Sequence, residues 1–289
     1  MQPLVSVCVL AMNHENYVLQ CLESILQQDY DNIEVIFVDN ISHDKTFDIA
    51  SSFLEKCGKP YRLIRNEVSF PTVKNAKLQL SLAAGKYACM TSADDWMAPT
   101  NISKKVERLE NDPEAAIAYS EIYLYYEDSK ELLAERTIVR HEGFIFDKLV
   151  KGNFVSSPGI VWDLSKIQEV GGYNENIVLE DWDLILRVSK KYKILFVDEF
   201  LVYYRRHSKN ESVANNKKYF YNQLEVLEQY KGHKNYKFCK QQIIYQLYNE
   251  LTTPKPSFKN ILDTFRIQDG SIYRLNILKH NILKFFRRR

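Results

Sequence analysis

The first 120 residues alternate between short apolar runs and amphipathic segments of helical period, and that alternation leaves few folds open. Residues 5–10 form an apolar run the length of a buried strand. In 17–28, Val18, Leu19, Leu22, Ile25 and Leu26 fall on one helical face. Asp29-Tyr30-Asp31-Asn32 is a turn, and 33–38 is a second apolar run. A helix over 46–56, a strand over 61–65, a helix over 73–84 stopped by Gly85, a strand over 87–90 and a helix over 99–110 complete the pattern. Strands alternating with helices predict an α/β fold with a mostly parallel central sheet covered on both faces.

In such sheets, ligands bind beyond the carboxyl ends of the strands. Asp39-Asn40 follows the second run, and Thr91-Ser92-Ala93-Asp94-Asp95-Trp96 follows the fourth, so both acidic groups are expected in one crevice. Two adjacent carboxylates at the end of a buried strand are costly unless a cation meets them. A hard divalent ion, held partly by carboxylate and partly by a substrate phosphate, fits that pattern. A strand-end turn, where Asp and Asn are common, is the plainer reading.

From 115 to 204 the pattern is less regular. Residues 116–126 read as a strand, and Ser156-Ser157-Pro158-Gly159 as a loop. Val170-Gly171-Gly172-Tyr173 is a turn leading to Glu180-Asp181-Trp182-Asp183, which opens an amphipathic segment. Acidic residues in a first helical turn are also what the helix dipole favours. Asp183 and Arg187 stand four apart and are placed to pair. After Ser212 the chain becomes helical, tyrosine-rich and polar, which divides it into residues 1–212 and a helical extension, 213–289.

Charge separates the extension further. Residues 274–289 hold six basic side chains and no acidic one, so removing them from the net +2 leaves the body at about −4. Bulk charge of that sign argues against nucleic acid as a partner. The basic segment also carries Leu275, Ile277, Leu278, Ile282, Leu283, Phe285 and Phe286. Such a helix can lie on an anionic membrane surface or pack on the body with a solvated end. The five cysteines follow no metal spacing and read as reduced thiols of a cytoplasmic protein. The N-terminus has no signal-peptide pattern, and no run reaches the length needed to span a bilayer.

Five segments, in order, resemble the family 2 glycosyltransferases, the GT-A-fold enzymes of bacterial surface-polysaccharide synthesis. They are Val5-Ser6-Val7-Cys8-Val9 with Asn13 and Tyr17; Val38-Asp39-Asn40-Ile41-Ser42 with Asp44 and Thr46; Ser92-Ala93-Asp94-Asp95; Gly171-Gly172-Tyr173 with Glu180-Asp181-Trp182-Asp183-Leu184 and Arg187; and Tyr203-Tyr204-Arg205-Arg206-His207. The resemblance covers residues 5–212. It implies a Rossmann-like sheet and a nucleotide-sugar donor, with Asn13 on the donor side and Asp39 and Asn40 at the base and ribose. Asp94 and Asp95 fall in the family's DxD region, with Asp94 also on the donor side, and His207 approaches the metal, Mg²⁺ or Mn²⁺. Arg206, or Arg205, would contact the diphosphate. Asp181 matches the general base of an inverting transfer. Glu180 and Trp182 fall on the acceptor side, although a tryptophan there also suits the core. A saccharide, carried on a lipid, is the implied acceptor.

The chain departs from the family pattern twice, with Asn40 and Ser92 where aspartates are usual. Those departures are what a non-catalytic nucleotide-sugar or saccharide-binding protein on the same fold would show. A nucleotidyltransferase would carry a glycine- and arginine-rich loop after the first strand, where this chain has Leu10-Ala11-Met12-Asn13-His14.

Overall fold

The computed structural model describes residues 2–135, 141–208, 210 and 216–252. Among these residues, strands β1 (Val5–Ala11), β2 (Ile33–Asp39), β3 (Tyr61–Arg65), β4 (Tyr87–Ser92), β5 (Trp96–Met97), β6 (Ala115–Tyr126), β7 (Glu131–Glu135), β8 (Ile160–Asp163) and β9 (Lys193–Arg206) form one sheet. Its order is β3-β2-β1-β4-β8-β6-β9-β5, with β7 paired to β6. The helices are α1 (Val18–Leu26), α2 (Thr46–Leu54), α3 (Thr72–Leu82), α4 (Asn101–Glu110), α5 (Phe146–Leu149), α6 (Leu164–Glu169), α7 (Glu180–Ser189), α8 (Asn216–Glu228) and α9 (Tyr236–Thr252).

The α/β architecture expected from the alternation is present. β3, β2, β1 and β4 run parallel, and β1 and β2 are buried almost end to end, as strands covered on both faces must be. Val7, Val9, Phe37 and Val161 pack with Leu22 and Ile25 of α1 and Ile102 and Val106 of α4 in one core. The register pairs Ala11 with Asp39 and Leu10 with Ser92, so the first, second and fourth strands end side by side. That alignment brings Asp39-Asn40 and Asp94-Asp95 to one edge of the sheet.

The second half is mixed. β8 runs antiparallel to β4 and β6, whereas β6 and β9 pair in parallel along most of their length, with register shifts around Ser120-Glu121-Ile122. Bulges of this kind re-aim the side chains beyond them. On one face of this half, Trp96 stacks on Tyr203 with centroids 4.8 Å apart, and Tyr203 on Tyr123 at 5.0 Å.

Gly85 does not end the third helix, which stops at Leu82. A Cβ at Gly85 would lie 2.7 Å from the carbonyl oxygens of Leu4 and Tyr87, so its role is to let the backbone entering β4 approach β1. The Gly85 and Ala84 N–H groups then donate to Ser6 Oγ and Glu34 Oε1, at 2.9 and 2.8 Å.

The chain divides into two compact units, residues 1–149 with 153–208 and residues 150–152 with 209–289. In the second, Leu224, Val226 and Leu227 of α8 and Cys239, Ile243 and Leu247 of α9 are buried, and Glu228 accepts from Tyr236 and Lys240. Among the described residues no helix is long and apolar enough to cross a membrane. The basic segment 272–289 lies outside them.

Candidate active site

The loops after β1 and β2 are stitched together before any ligand is considered. Asn13, at φ +58°, turns the chain off β1, and its Oδ1 accepts from His43 N–H at 2.8 Å. The N–H groups of Asn13, His14 and Glu15 donate to Ser42 Oγ, Thr46 Oγ1 and Asp44 Oδ2, at 2.9, 2.7 and 3.1 Å. Ile41 holds φ +59°, a conformation that costs a β-branched residue about 1–3 kcal/mol and persists only in over-determined surroundings.

Asp39 is fully buried beneath these loops. Its Oδ2 accepts from Ser42 N–H at 3.0 Å and faces Arg65 Nε at 3.5 Å, whereas its Oδ1 is buried with no partner among the described residues. A buried carboxylate oxygen left so is poised for a donor from outside the chain.

Asn40 is held differently. Its Nδ2 donates to the Phe70 carbonyl at 3.0 Å, and its Oδ1 accepts from Phe70 N–H and Asn66 Nδ2, both at 2.9 Å. Asn66 also donates to Asn75 Oδ1 at 2.7 Å, which extends the network into α3. Only an amide both donates and accepts here. An aspartate would set a carboxylate against the Phe70 carbonyl, which gives the departure at position 40 a structural reason.

The two adjacent aspartates separate in role. Asp94 Oδ2 lies 3.0 Å from His207 Nε2 and 3.9 Å from His14 Nε2. One ligand atom from each of His14, Asp94 and His207 falls within 4.8 Å of the others. A cation bound at about 2.0–2.2 Å from each would separate its ligands by about 3–4.5 Å, so the donor set fits a divalent ion. Burial works to raise the Asp94 pKa, but positive charge on His14 and hydrogen bonds from Ser92 and His207 outweigh it and hold the carboxyl low. Burial also lowers the His14 pKa against the pull of Asp94, which favours the neutral ring that ligates metals. Near neutral pH, the hydrogen bonds are therefore the firmer support of the Asp94 carboxylate. Ser92, the second departure, supports Asp94.

Asp95 turns away from this cluster. Its Oδ1 accepts from Arg205 N–H at 2.9 Å, and burial, then the charge of Asp94, pushes its pKa well above the usual range. The sequence reading places Asp95 beside the metal; here its Oδ1 is taken by the backbone of β9, and the three ligand atoms that converge come from His14, Asp94 and His207. Arg205 is itself buried: its Nε donates to the Asp94 carbonyl at 2.8 Å, and its other nitrogens bind Glu127 and Gln20. Its guanidinium lies over Tyr17 and Trp96 at 4.6 and 4.7 Å. It pins the loop and is not displayed to a diphosphate. Arg206, the next residue on the strand, lies over Tyr204 at 5.1 Å.

Asp181 sits half-buried in the first turn of α7, where Oδ1 accepts from Trp182 N–H at 2.7 Å and Oδ2 from Ser157 Oγ. The Ser157 loop is anchored from both sides. Gly159 N–H donates to the Met90 carbonyl of β4 at 2.8 Å, and the Gly159 carbonyl accepts from Lys105 Nζ and Asn101 Nδ2 of α4 at 2.8 and 3.1 Å. Lys105 is fully buried, and desolvation, opposed by Cys89, lowers its pKa to about 7. Asp183 pairs with Arg187 at 2.7 Å, and Arg187 also donates to the carbonyls of Val170 and Gly172, which fastens the Gly171-Gly172 turn to α7. Glu180 is half-buried at the helix start. Trp182 is only 2% exposed, and its Nε1 donates to the Leu149 carbonyl at 3.0 Å. The core reading of Trp182 is therefore the one that stands, because a ring so enclosed offers no face to a sugar.

Sequence reasoning gave His14, Ser157, Arg205 and Lys105 no firm part. Arg205 carried a signal as the alternative diphosphate contact, and His14 through its place in the loop that leaves β1 beside the acidic strand ends.

A parallel half-sheet with buried carboxylates at its strand ends, continued into a mixed half, is the GT-A glycosyltransferase architecture. A profile described as glycosyl transferase family 2 matches residues 6–159, more than half of the chain, and the chain belongs to that family. It is 26% identical over 228 residues to an Escherichia coli protein named as UDP-Glc:alpha-D-GlcNAc-diphosphoundecaprenol beta-1,3-glucosyltransferase WfaP, covering 78% of this chain and 86% of WfaP. The fold is shared with S. aureus TarS in complex with UDP-GlcNAc (TM-score 0.66, 14% identity, 86% of this chain and 73% of that one). It is shared equally with the mannosyltransferase PcManGT of Pyrobaculum calidifontis in complex with GDP-Man and Mn²⁺ (TM-score 0.66, 14% identity, 98% and 80%). The chain spans 59% of the length of the uncharacterized mycobacterial relatives it matches.

Proposed function

We propose that this chain is a metal-dependent, inverting glycosyltransferase that moves a sugar from a nucleoside diphosphate to a saccharide acceptor, one carried on a lipid. The observation that carries the reading is the juxtaposition of the Asp94 cluster with the unpartnered Asp39 Oδ1 at aligned strand ends. Asp39 accepts from the base, and the loop built on Asn13 and Asn40 shapes the pocket around it. Asp94 and His207 hold Mg²⁺ or Mn²⁺, and Arg206 stands toward the diphosphate. When bound, the ion neutralises charge on the departing nucleoside diphosphate.

Asp181 takes the proton from the acceptor hydroxyl as that oxygen bonds to the anomeric carbon and the bond to the diphosphate oxygen breaks. One displacement inverts the configuration. Ser157 orients the carboxylate, and Glu180 borders the acceptor. The names of WfaP, TarS and PcManGT support a nucleotide-sugar donor, and that of WfaP a lipid-linked acceptor. Under this reading residues 1–212 carry the chemistry. The extension, 213–289, brings its basic end to the inner face of an anionic membrane, where such acceptors lie.

A thermal-shift screen of nucleotide sugars with and without Mn²⁺ tests the proposal, because a ligand that binds the native state raises Tm by mass action. A metal-dependent rise that selects one nucleotide sugar, followed by transfer with an inverted anomer in the NMR spectrum of the product, is the expected result. No rise at millimolar ligand and metal would refute it.

A further inference from the structure

We infer that His14 is a third protein ligand of the cation, so that the centre is built from two imidazoles and one carboxylate. The inference rests on the metal-dependent reading above and goes beyond it, since the sequence motifs assign the ion only to the acidic pair and His207.

The loop fixes His14 firmly while leaving its ring uncommitted. Its N–H donates to Thr46 Oγ1 at 2.7 Å, and its carbonyl accepts from the N–H groups of Tyr17 and Val18 at 2.9 Å, so its backbone opens α1. The ring makes no hydrogen bond among the described residues. Nδ1 is buried without a partner, and Nε2 stands 3.9 Å from Asp94 Oδ2, beyond hydrogen-bond reach. Buried imidazole nitrogens are normally satisfied. A ring held rigidly against a carboxylate and a second imidazole, with neither nitrogen bonded, has the disposition of a metal ligand. Tyr17 lies 5.1 Å from the His207 ring and 6.3 Å from that of His14, and this aromatic wall limits ring rotation on that side.

The donor set has a chemical consequence. Sites with one or two carboxylates take Mg²⁺ largely through substrate phosphates and water. Two imidazoles shift the preference toward Mn²⁺, Co²⁺ and Zn²⁺ and supply enough protein ligands to hold the ion before the nucleotide arrives.

The test is a titration of the full chain with Mn²⁺ alone, followed by electron paramagnetic resonance, in the wild type, His14→Ala, His14→Asn and Asp94→Asn, each with its Tm recorded. Expected are a nucleotide-independent site in the wild type, two sets of imidazole nitrogen couplings in the pulsed spectrum, and one set in both His14 variants. Their affinity should fall about tenfold or more at unchanged Tm. If the wild type shows one set, or the His14 variants bind as it does while Asp94→Asn does not bind, the His14 ligand is overturned and the metal centre stands. If the wild type binds no Mn²⁺ with or without UDP or GDP, the metal-dependent reading falls with it.

Discussion

The two sides of the site are built to different standards. Where β1 and β2 end, most polar side chains are spent on backbone: Asp39 on Ser42, Asn40 on Phe70, Asp44 and Thr46 on the loop after β1. The acceptor side hangs on fewer ties. Asp181 is oriented by Ser157 and its own helix, and the turn before it by Arg187, while Glu175, Asn176 and Val178 are exposed. Under the proposed function, the difference means that donor recognition is pre-organised in the fold, whereas the acceptor side combines one oriented carboxylate with an exposed loop. Substitutions of the donor-side groups that are spent on backbone should therefore move binding and stability together. Those on the acceptor side should move turnover alone.

The largest effect expected is on that second side. Asp181→Asn should lower transfer by about 10²–10⁴-fold, the range of a lost general base, with Tm unchanged. Steady-state transfer beside a thermal melt checks it, and a matching loss of stability would erase the contrast.

Next comes the arginine beneath the donor side. Arg205→Ala leaves the Asp94 carbonyl and Gln20 without the guanidinium and half-buried Glu127 with Lys130 alone, and should cost about 1–3 kcal/mol in chemical denaturation. A loss within experimental error would mean that the Asp94-Asp95 loop stands without it.

A finer probe is Asn40→Asp, which restores the residue usual in the family. Here it removes the donor to the Phe70 carbonyl and should cost about 1–3 kcal/mol while weakening nucleotide-sugar binding. Unchanged stability with tighter binding would show that position 40 meets the ligand rather than the Phe70 loop.

The smallest effect is a pH dependence. The Lys105 amine titrates near 10.5 when unfolded and at about 7 in the fold, so between those values the unfolded chain binds more protons. Stability from this group is therefore lost as pH falls through that window and gained as it rises, on the order of 2 kcal/mol between pH 7 and 9. Lys105→Met should flatten that slope in denaturation curves at the two pH values. An equal slope in both proteins would place the amine in a wetter environment than its burial indicates.

The same contrast explains what could be read from the sequence. The parallel half was legible because most of its strands are short apolar runs separated by helical segments, and the place of the carboxylates at strand ends follows from that alternation. The mixed half was not. β6 pairs with β9 across roughly 80 residues, and its register shifts decide which of Arg205 and Arg206 points inward. Periodicity carries no such long-range information. Trp182 illustrates the limit locally: four polar or aromatic residues opening a helix read equally as a binding edge or a cap, and only packing against Leu149 settles the ring. The departures at Asn40 and Ser92 looked like losses because their partners, Phe70 and Asp94, become visible only in three dimensions.

The most direct test of the division between the two sides is calorimetric titration of the selected nucleotide sugar into the wild type, Asp181→Asn and Asp94→Asn, in Mn²⁺ and in EDTA. The account predicts wild-type affinity for Asp181→Asn in Mn²⁺, and at least about a tenfold loss for Asp94→Asn and for the wild type in EDTA. Donor affinity that ignores both Asp94 and the metal, or that vanishes with Asp181, would contradict it.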